Sequence, residues 1–273
     1  MSNIPTSSAP GNDVRPAVQV TRPAPGVALV TLDRPASLNA LDGAAVDGLI
    51  EAFTELSVAD EVTVVVVTGA GRGFCAGADL STLADGVAAA PPLEIMQYVG
   101  KPLRALANLP QVTIAAVDGP AVGAGWGLAL ACDVRIGGPR ARFGATFVRM
   151  GLGPDYGLSA TLPRAVGRDR ALELLTTGRF IEAEEAARLG AVSEVVPDAH
   201  ARALELAASI AGAPNRTIRS IKQTLSRAES AGIDEVVDVI EANAQARLIE
   251  HPQFLADAEA WLSRHNGASR PGA

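Results

Sequence analysis

The chain has 273 residues, 48% of them hydrophobic and 19% charged, which suits one large domain or two modest ones around a sizeable core. A net charge of −7 argues against nucleic acid as a main partner, since neutralising phosphates needs a basic surface. The only two cysteines, Cys75 and Cys132, supply no disulfide framework and suit a reducing cytoplasm. No stretch carries a signal core or reaches the ~20 apolar residues of a membrane span. Polar, Ser/Pro-rich residues 1–15 and the last residues, 266–273, read as disordered tails.

In chain order, Val18–Thr21 and Val27–Leu32 read as strands joined by a turn at Pro23–Gly26. Asp42 is placed to cap a helix running to about Leu56, with Leu49, Phe53 and Leu56 on one face. Val62–Thr68 is a continuous β-branched run, the pattern of a strand covered on both faces. It empties into Gly69-Ala70-Gly71-Arg72-Gly73-Phe74-Cys75-Ala76-Gly77-Ala78-Asp79-Leu80, with a helix expected from near Asp79. Leu93–Leu109 reads as helix and Thr113–Val117 as a second buried strand. The next glycine turn, Val117 to Gly127, leads into a helix over Gly123–Ala131. Asp133–Ile136 and Ala141–Phe143 follow as short strands. Helices are expected over Leu158–Val166, Arg170–Thr177 and Ala183–Leu189, then a strand over Val192–Val196. Beyond Pro197 the pattern is helical: His200–Ala213, Ile218–Ala228, and Ile233–His265 broken at Pro252.

The two glycine turns are the informative feature. Glycine lets backbone N–H groups face a ligand closely, and two such turns can aim two donors at one oxygen, as an oxyanion requires. Other chemistries fit poorly. Neither turn has the spacing of a dinucleotide fingerprint, and there is no phosphate loop ending in Gly-Lys-Ser/Thr. No Gly-x-Ser-x-Gly elbow appears. The histidines, His200, His251 and His265, and the two cysteines lack metal-ligand spacing, so no metal is expected.

Six ordered pieces carry a resemblance: Leu32 to Leu41, the first turn through Leu80, the second turn through Asp133, Ala141 to Gly144, Leu162 to Gly167, and Ala183 to Pro197. Over about residues 18–265 the chain resembles the crotonase superfamily of enoyl-CoA hydratases and isomerases. The resemblance implies an α/β fold, a spiral of ββα units over 16–199, with a C-terminal helical trimerisation region over 200–265. It implies a homotrimer or a dimer of trimers, no permanently bound cofactor, and coenzyme A as part of an acyl-CoA thioester substrate. The oxyanion donors of the family map to the backbone N–H groups of Ala78 and Ala124. Its CoA contacts map to Ala36, Leu38, Ala76, Asp79 and Leu80, mostly through backbone; Asp79 reads also as a helix cap. Trp126, Phe147 and Tyr156 would shape the acyl pocket, with ordinary core packing as the other reading.

The chain departs from the family where hydration is done. The two glutamates that hydratases use fall at Gly127 and Phe147, which cannot move protons. One acid stands in a loop where some isomerases of the family carry a catalytic aspartate: Asp155, in Gly151 to Gly157. A single carboxylate suffices to move a double bond through a thioester enolate. Asp155 reads also as the N-cap of a helix beginning near Tyr156, and the two roles are compatible. The expectation is thus a cytoplasmic enoyl-CoA isomerase with Asp155 as acid/base. The rivals are another enolate reaction (hydration, C–C hydrolysis or dehalogenation) and a non-catalytic acyl-CoA-binding protein. Arg142 and Arg149 read as solvated surface residues.

Overall fold

The computed structural model describes residues 15–81 and 90–266. The expected tails therefore lie almost wholly outside the described residues, as do residues 82–89, which follow the helical Leu80 and Ser81. Two compact units divide the chain, Met1–Ala213 and Pro214–Ala273.

The first unit is built on two sheets. Strands β1 (Val18–Ala24), β2 (Val27–Leu32), β3 (Val64–Gly69), β4 (Val112–Val117), β6 (Val134–Gly137) and β9 (Glu194–Val195) form one sheet in the order β1-β2-β3-β4-β6-β9. Only the β1–β2 pair is antiparallel in it. A smaller sheet has the order β5 (Pro120–Val122), β7 (Arg142–Gly144), β8 (Phe180–Glu182). The β-branched run of β3 fulfils its pattern: Val65 and Val67 enter the main core with Phe53, Leu106 and Trp126. Val64 and Val66 face the other way, into a second cluster with Val27, Ile114 and Ile136. Each such side chain removed from water contributes about 1.5–3 kcal/mol.

The second cluster is closed by helix Ala199–Ala211, whose Ala203 and Ala207 are fully buried with Ala199 one turn before them. The expected boundary lies at 199/200. The helix packs its small-residue face on β3 and β4 and belongs to the first unit, so the division falls at Ala213/Pro214. Asp42 caps helix Gly43–Ser57 by accepting from the Ala45 N–H at 2.9 Å.

Local differences have local causes. The helix expected over Leu93–Leu109 is two, Pro92–Val99 and Lys101–Ala107, because Gly100 ends the first and Pro102 opens the second. The strand expected at Val192–Val196 shortens to β9. Strands β5 and β8, three residues each, and the 3-10 turn Thr146–Met150 are too short to carry a hydrophobic period.

The second unit is helical. Asn215–Ala228 is followed by Ile233–Glu235, a π-helical segment Val236–Glu241 and Ala242–Ile249, then Phe254–Asn266. The interruption between Ile249 and Phe254 contains Pro252, as expected. Arg216 pairs with Asp257 inside this unit.

Candidate active site

The site begins where two ribbons of backbone are stitched together. Cys75 N–H donates to Pro120 O at 3.0 Å, and Val122 N–H donates to Cys75 O at 2.9 Å. This joins the first glycine turn to β5, which runs directly into helix Ala124–Ala131. Gly77 has φ +94°, and a Cβ added there would stand 2.7 Å from Val122 O and 3.7 Å from Ala124 N. The two turns thus meet within a side chain's width.

Of the two expected donors, Ala78 is left facing out of this ribbon. The bridge between Leu41 and Ala78 uses Leu41 N–H to Gly77 O (2.7 Å) and Asp79 N–H to Leu41 O (2.9 Å). In a parallel bridge of that register the N–H of Ala78 points the other way, and Ala78 is solvent-exposed. Gly123 N–H is taken by Gly144 O at 2.8 Å. Ala124 is the first residue of its helix, where backbone N–H groups have no intrahelical acceptor. The positive end of the helix dipole lies at the same point.

The two family glutamate positions are filled rather than open. A Cβ at Gly127 would lie 2.4 Å from Tyr156 O and 2.7 Å from Tyr156 Cβ, so the 155–157 backbone occupies the place of a side chain there. Tyr156 adopts φ +47° to make this approach, rare for a bulky residue. Phe147 is 7% exposed, and its ring edge would stand 3.5 Å from a Cβ at Gly123, beside the second turn.

Asp155 is not a helix cap. The helix begins at Leu158, its N-cap is Gly157 with φ +71°, and no side chain caps it. The cap reading falls because the left-handed turn at Tyr156 and Gly157 carries the chain past Asp155 before the helix starts. Asp155 Oδ1 is instead buried without a hydrogen-bond partner among the described residues. Burial pushes its carboxyl up to about 6 from the usual carboxylate range, against a smaller lowering from its own backbone N–H.

The Tyr156 hydroxyl and Trp126 Nε1 are likewise buried and unpartnered there. Burial, then the nearby Cys75 and Asp155, raise the Tyr156 phenol far above its ordinary value, so it stays protonated. Trp126 is fully buried and meets the Phe143 ring at 5.7 Å. Burial pushes the Cys75 thiol up to about 12, which leaves it an inert filler.

Ala36 and Leu80 are exposed, and Leu38 and Ala76 are half-buried, with Ala76 N–H donating to Leu38 O at 3.0 Å. Asp79 is committed: its carboxylate accepts from Arg34 at 3.0 Å and from Ser81 Oγ and N–H at 2.6 and 3.2 Å. The Ser81 and Arg34 hydrogen bonds hold it below the usual carboxylate range. Its contact with Ser81 N–H is the expected helix cap. Arg142 pairs with Glu182 at 3.0 Å over the Phe180 ring, and Arg149 shares that ring.

Sequence reasoning passed over Asn39. Buried at 1% exposure with φ +59°, it accepts from Arg34 N–H at 2.9 Å and donates to Ala70 O and Gly73 O at 2.9 and 2.7 Å. An Asn before a glycine-rich turn was the available signal, because Asn tolerates the left-handed region. Among the described residues no cluster of His, Cys, Asp and Glu could hold a metal, and no helix is long and apolar enough to cross a membrane.

Comparison with known proteins bears on this geometry. Residues 22–258 match the family model described as enoyl-CoA hydratase/isomerase. "Probable enoyl-CoA hydratase EchA14" of Mycobacterium tuberculosis is 42% identical over 236 residues, covering 84% of this chain and 91% of that protein. "Probable enoyl-CoA hydratase" of Rhodobacter capsulatus is 38% identical over 248 residues, covering 88% of this chain and 92% of that protein. The solved enoyl-CoA hydratase of Bacillus anthracis superposes with a TM-score of 0.85 at 31% identity, over 91% of this chain and 96% of that one. With two apposed glycine turns on a crotonase spiral, the chain belongs to the enoyl-CoA hydratase/isomerase family of enzymes.

Proposed function

We propose that the protein moves the double bond of an enoyl-CoA, with Asp155 as the acid/base. The carrying observation is that Asp155 presents a half-buried carboxylate, its Oδ1 without a partner among the described residues, on the loop packed against Gly127, while both family glutamate positions lack an acid. The acyl-CoA substrate is supported by the family and by the names of its relatives.

The Asp155 carboxylate takes a proton from C2 of a 3-enoyl-CoA. The electron pair passes into the thioester carbonyl, and the enolate oxygen rests on the N–H groups of Ala78 and Ala124. Each such donor is worth about 3–4 kcal/mol in the transition state. The Asp155 carboxylic acid then returns the proton to C4, giving a 2-enoyl-CoA and restoring the carboxylate. A carboxyl near pH 6 suits both halves, since it is ionised at neutral pH yet basic enough to share a proton. Trp126, Phe147 and Tyr156 supply apolar surface around the acyl group, and Ala36, Leu38, Ala76, Asp79 and Leu80 the CoA contacts. No resident cofactor or metal takes part.

The helical segments within 215–266 are proposed as the trimerisation region of a cytoplasmic homotrimer or dimer of trimers. They expose Leu225, Ile233, Phe254, Leu255 and Trp261, an apolar set that water-facing helices rarely keep uncovered.

The test is turnover of a 3-enoyl-CoA and a 2-enoyl-CoA by wild type and Asp155→Asn, with products resolved by mass. Isomerisation that collapses in the variant is expected. Equal rates in both would remove Asp155 from the mechanism. A product heavier by one water would make the enzyme a hydratase of unusual construction, and tight thioester binding without turnover of either substrate would make it a silent binder.

A further inference from the structure

The segment 34–42 is laced to the first glycine turn along its whole length. Ala70 N–H donates to Leu32 O (2.8 Å), Ala76 N–H to Leu38 O (3.0 Å), Leu41 N–H to Gly77 O (2.7 Å) and Asp79 N–H to Leu41 O (2.9 Å). Asn39 adds its two donations to Ala70 O and Gly73 O. Leu38 lies against Gly73, 3.1 Å from where a Cβ there would stand. Across this lacing sits Arg34. One guanidinium nitrogen reaches Asp42 at 2.9 Å and Asp79 at 3.0 Å, and another donates to Ala40 O. The three side chains are only 24%, 21% and 14% exposed, so their charges are partly withdrawn from water.

The ion pair therefore has ends of two kinds. Arg34 and Asp42 flank the loop that carries Ala36 and Leu38, whereas Asp79 directly follows Ala78. A fork that binds two carboxylates and a carbonyl at once fixes direction as well as distance, which a lysine ammonium does not reproduce.

We propose that Arg34 is a positioning residue for the oxyanion hole: it makes the loop 35–38 and the Ala78 N–H one rigid body, so that seating the nucleotide end of CoA aligns the donor. This rests on the reading above, that Ala78 donates to the thioester oxygen and that the loop contacts CoA. Binding energy from the remote, unreactive part of the substrate is thereby used at the carbonyl, which is how such energy raises turnover rather than affinity alone.

The experiment reads carbonyl polarisation at equilibrium, without turnover. The probe is an aminocinnamoyl thioester, whose absorbance moves to the red as its carbonyl is polarised, offered as the CoA thioester and as the truncated pantetheine thioester. Both are measured at saturation on wild type, Arg34→Lys and Asp42→Asn, which breaks the ion pair but keeps the helix cap, each confirmed folded by circular dichroism. Wild type should shift the CoA probe further than the pantetheine probe. In each variant the CoA probe should fall back to the pantetheine shift, with turnover down about 10²-fold and KM little changed, as for a misplacement near 1 Å. Equal shifts for the two probes on wild type would overturn the proposal, and so would variants that keep the wild-type difference. A wild type that binds the CoA probe with no red shift at all would instead sink the oxyanion reading beneath it. Loss of thermal stability with an undiminished shift would reduce Arg34 to an ordinary structural ion pair.

Discussion

Gly127→Ala adds one methyl group at the point where helix Ala124–Ala131 meets the Asp155 loop. Two effects oppose each other. Alanine is better than glycine inside a helix by about 0.8–1.0 kcal/mol. Against this, the new Cβ would stand 2.4 Å from Tyr156 O and 2.7 Å from Tyr156 Cβ, where carbon–carbon contacts settle at about 3.5–4.0 Å. The obstruction is main chain, so it cannot swing aside as a flexible side chain would. Overpacking of this kind costs about 1–3 kcal/mol, which leaves a net loss of about 0–2 kcal/mol. The loop must also retreat by about 1 Å, and a shift of that size at a reacting group lowers turnover about 10²-fold. Urea unfolding at fixed protein concentration measures the first effect and single-turnover kinetics the second. Gly43→Ala is the control, because a Cβ at Gly43, also helical, meets nothing within 4 Å; it should be neutral or stabilising with activity intact. A Gly127→Ala variant that gains stability like the control, with unchanged turnover, would refute the placement of Tyr156 over Gly127.

Other expectations follow from single groups. The Asp155 carboxyl is raised in the folded state, so the folded protein holds the extra proton between about pH 4 and 6. Its contribution to stability is present below the unfolded pKa and lost as pH rises through about 6. Asp155→Asn should therefore stabilise the protein at pH 8 by about 1–2 kcal/mol, discounted for the part of the carboxyl that water reaches, with no gain at pH 3; a destabilised variant at pH 8 contradicts a carboxylate raised by burial. Turnover should fall below pH 6 as the base takes up its proton, and a flat profile from pH 5 to 8 would assign the base elsewhere. Asp42→Ala removes both the cap on Ala45 N–H and an ion pair with Arg34, and should cost about 1–2 kcal/mol in denaturant unfolding; a cost near zero would show the cap to be replaced by water. Cys75 should resist a disulfide reagent at pH 8 until denaturant is added, and fast labelling of the native protein would contradict its burial.

Much of the scaffold was legible because the residues that build it act locally. The unbroken valines of β3 can only be a strand covered on both faces, and Asp42 marks the start of its helix by its own side chain. The two glycine turns were legible as turns, since close approach needs glycine wherever it occurs in the chain. What the sequence did not show depends on partners distant along it. Nothing near Tyr156 announces that its carbonyl will fill the space beside Gly127, and the left-handed turn that does so also takes Asp155 out of the cap position. Helix Ala199–Ala211 looked like the tail that follows it, because an alanine face reads alike whether it covers a sheet or another helix. Asn39 lies within the piece Leu32 to Leu41 without a signal of its own, for its three hydrogen bonds lie in the folded turn and leave no mark on neighbouring residues.

The donors proposed at Ala78 and Ala124 are main-chain amides, and this sets what mutation can reach. A change of side chain at either position leaves the N–H in place, so the means of activating a carbonyl persist while the acids around it come and go, as Gly127 and Phe147 show. Proline alone among the common residues lacks the group. At Ala124, the first residue of its helix, proline also suits the backbone. One substitution there deletes half of the oxyanion cradle while keeping the helix, and it separates carbonyl activation from proton transfer in a way no change of acid can.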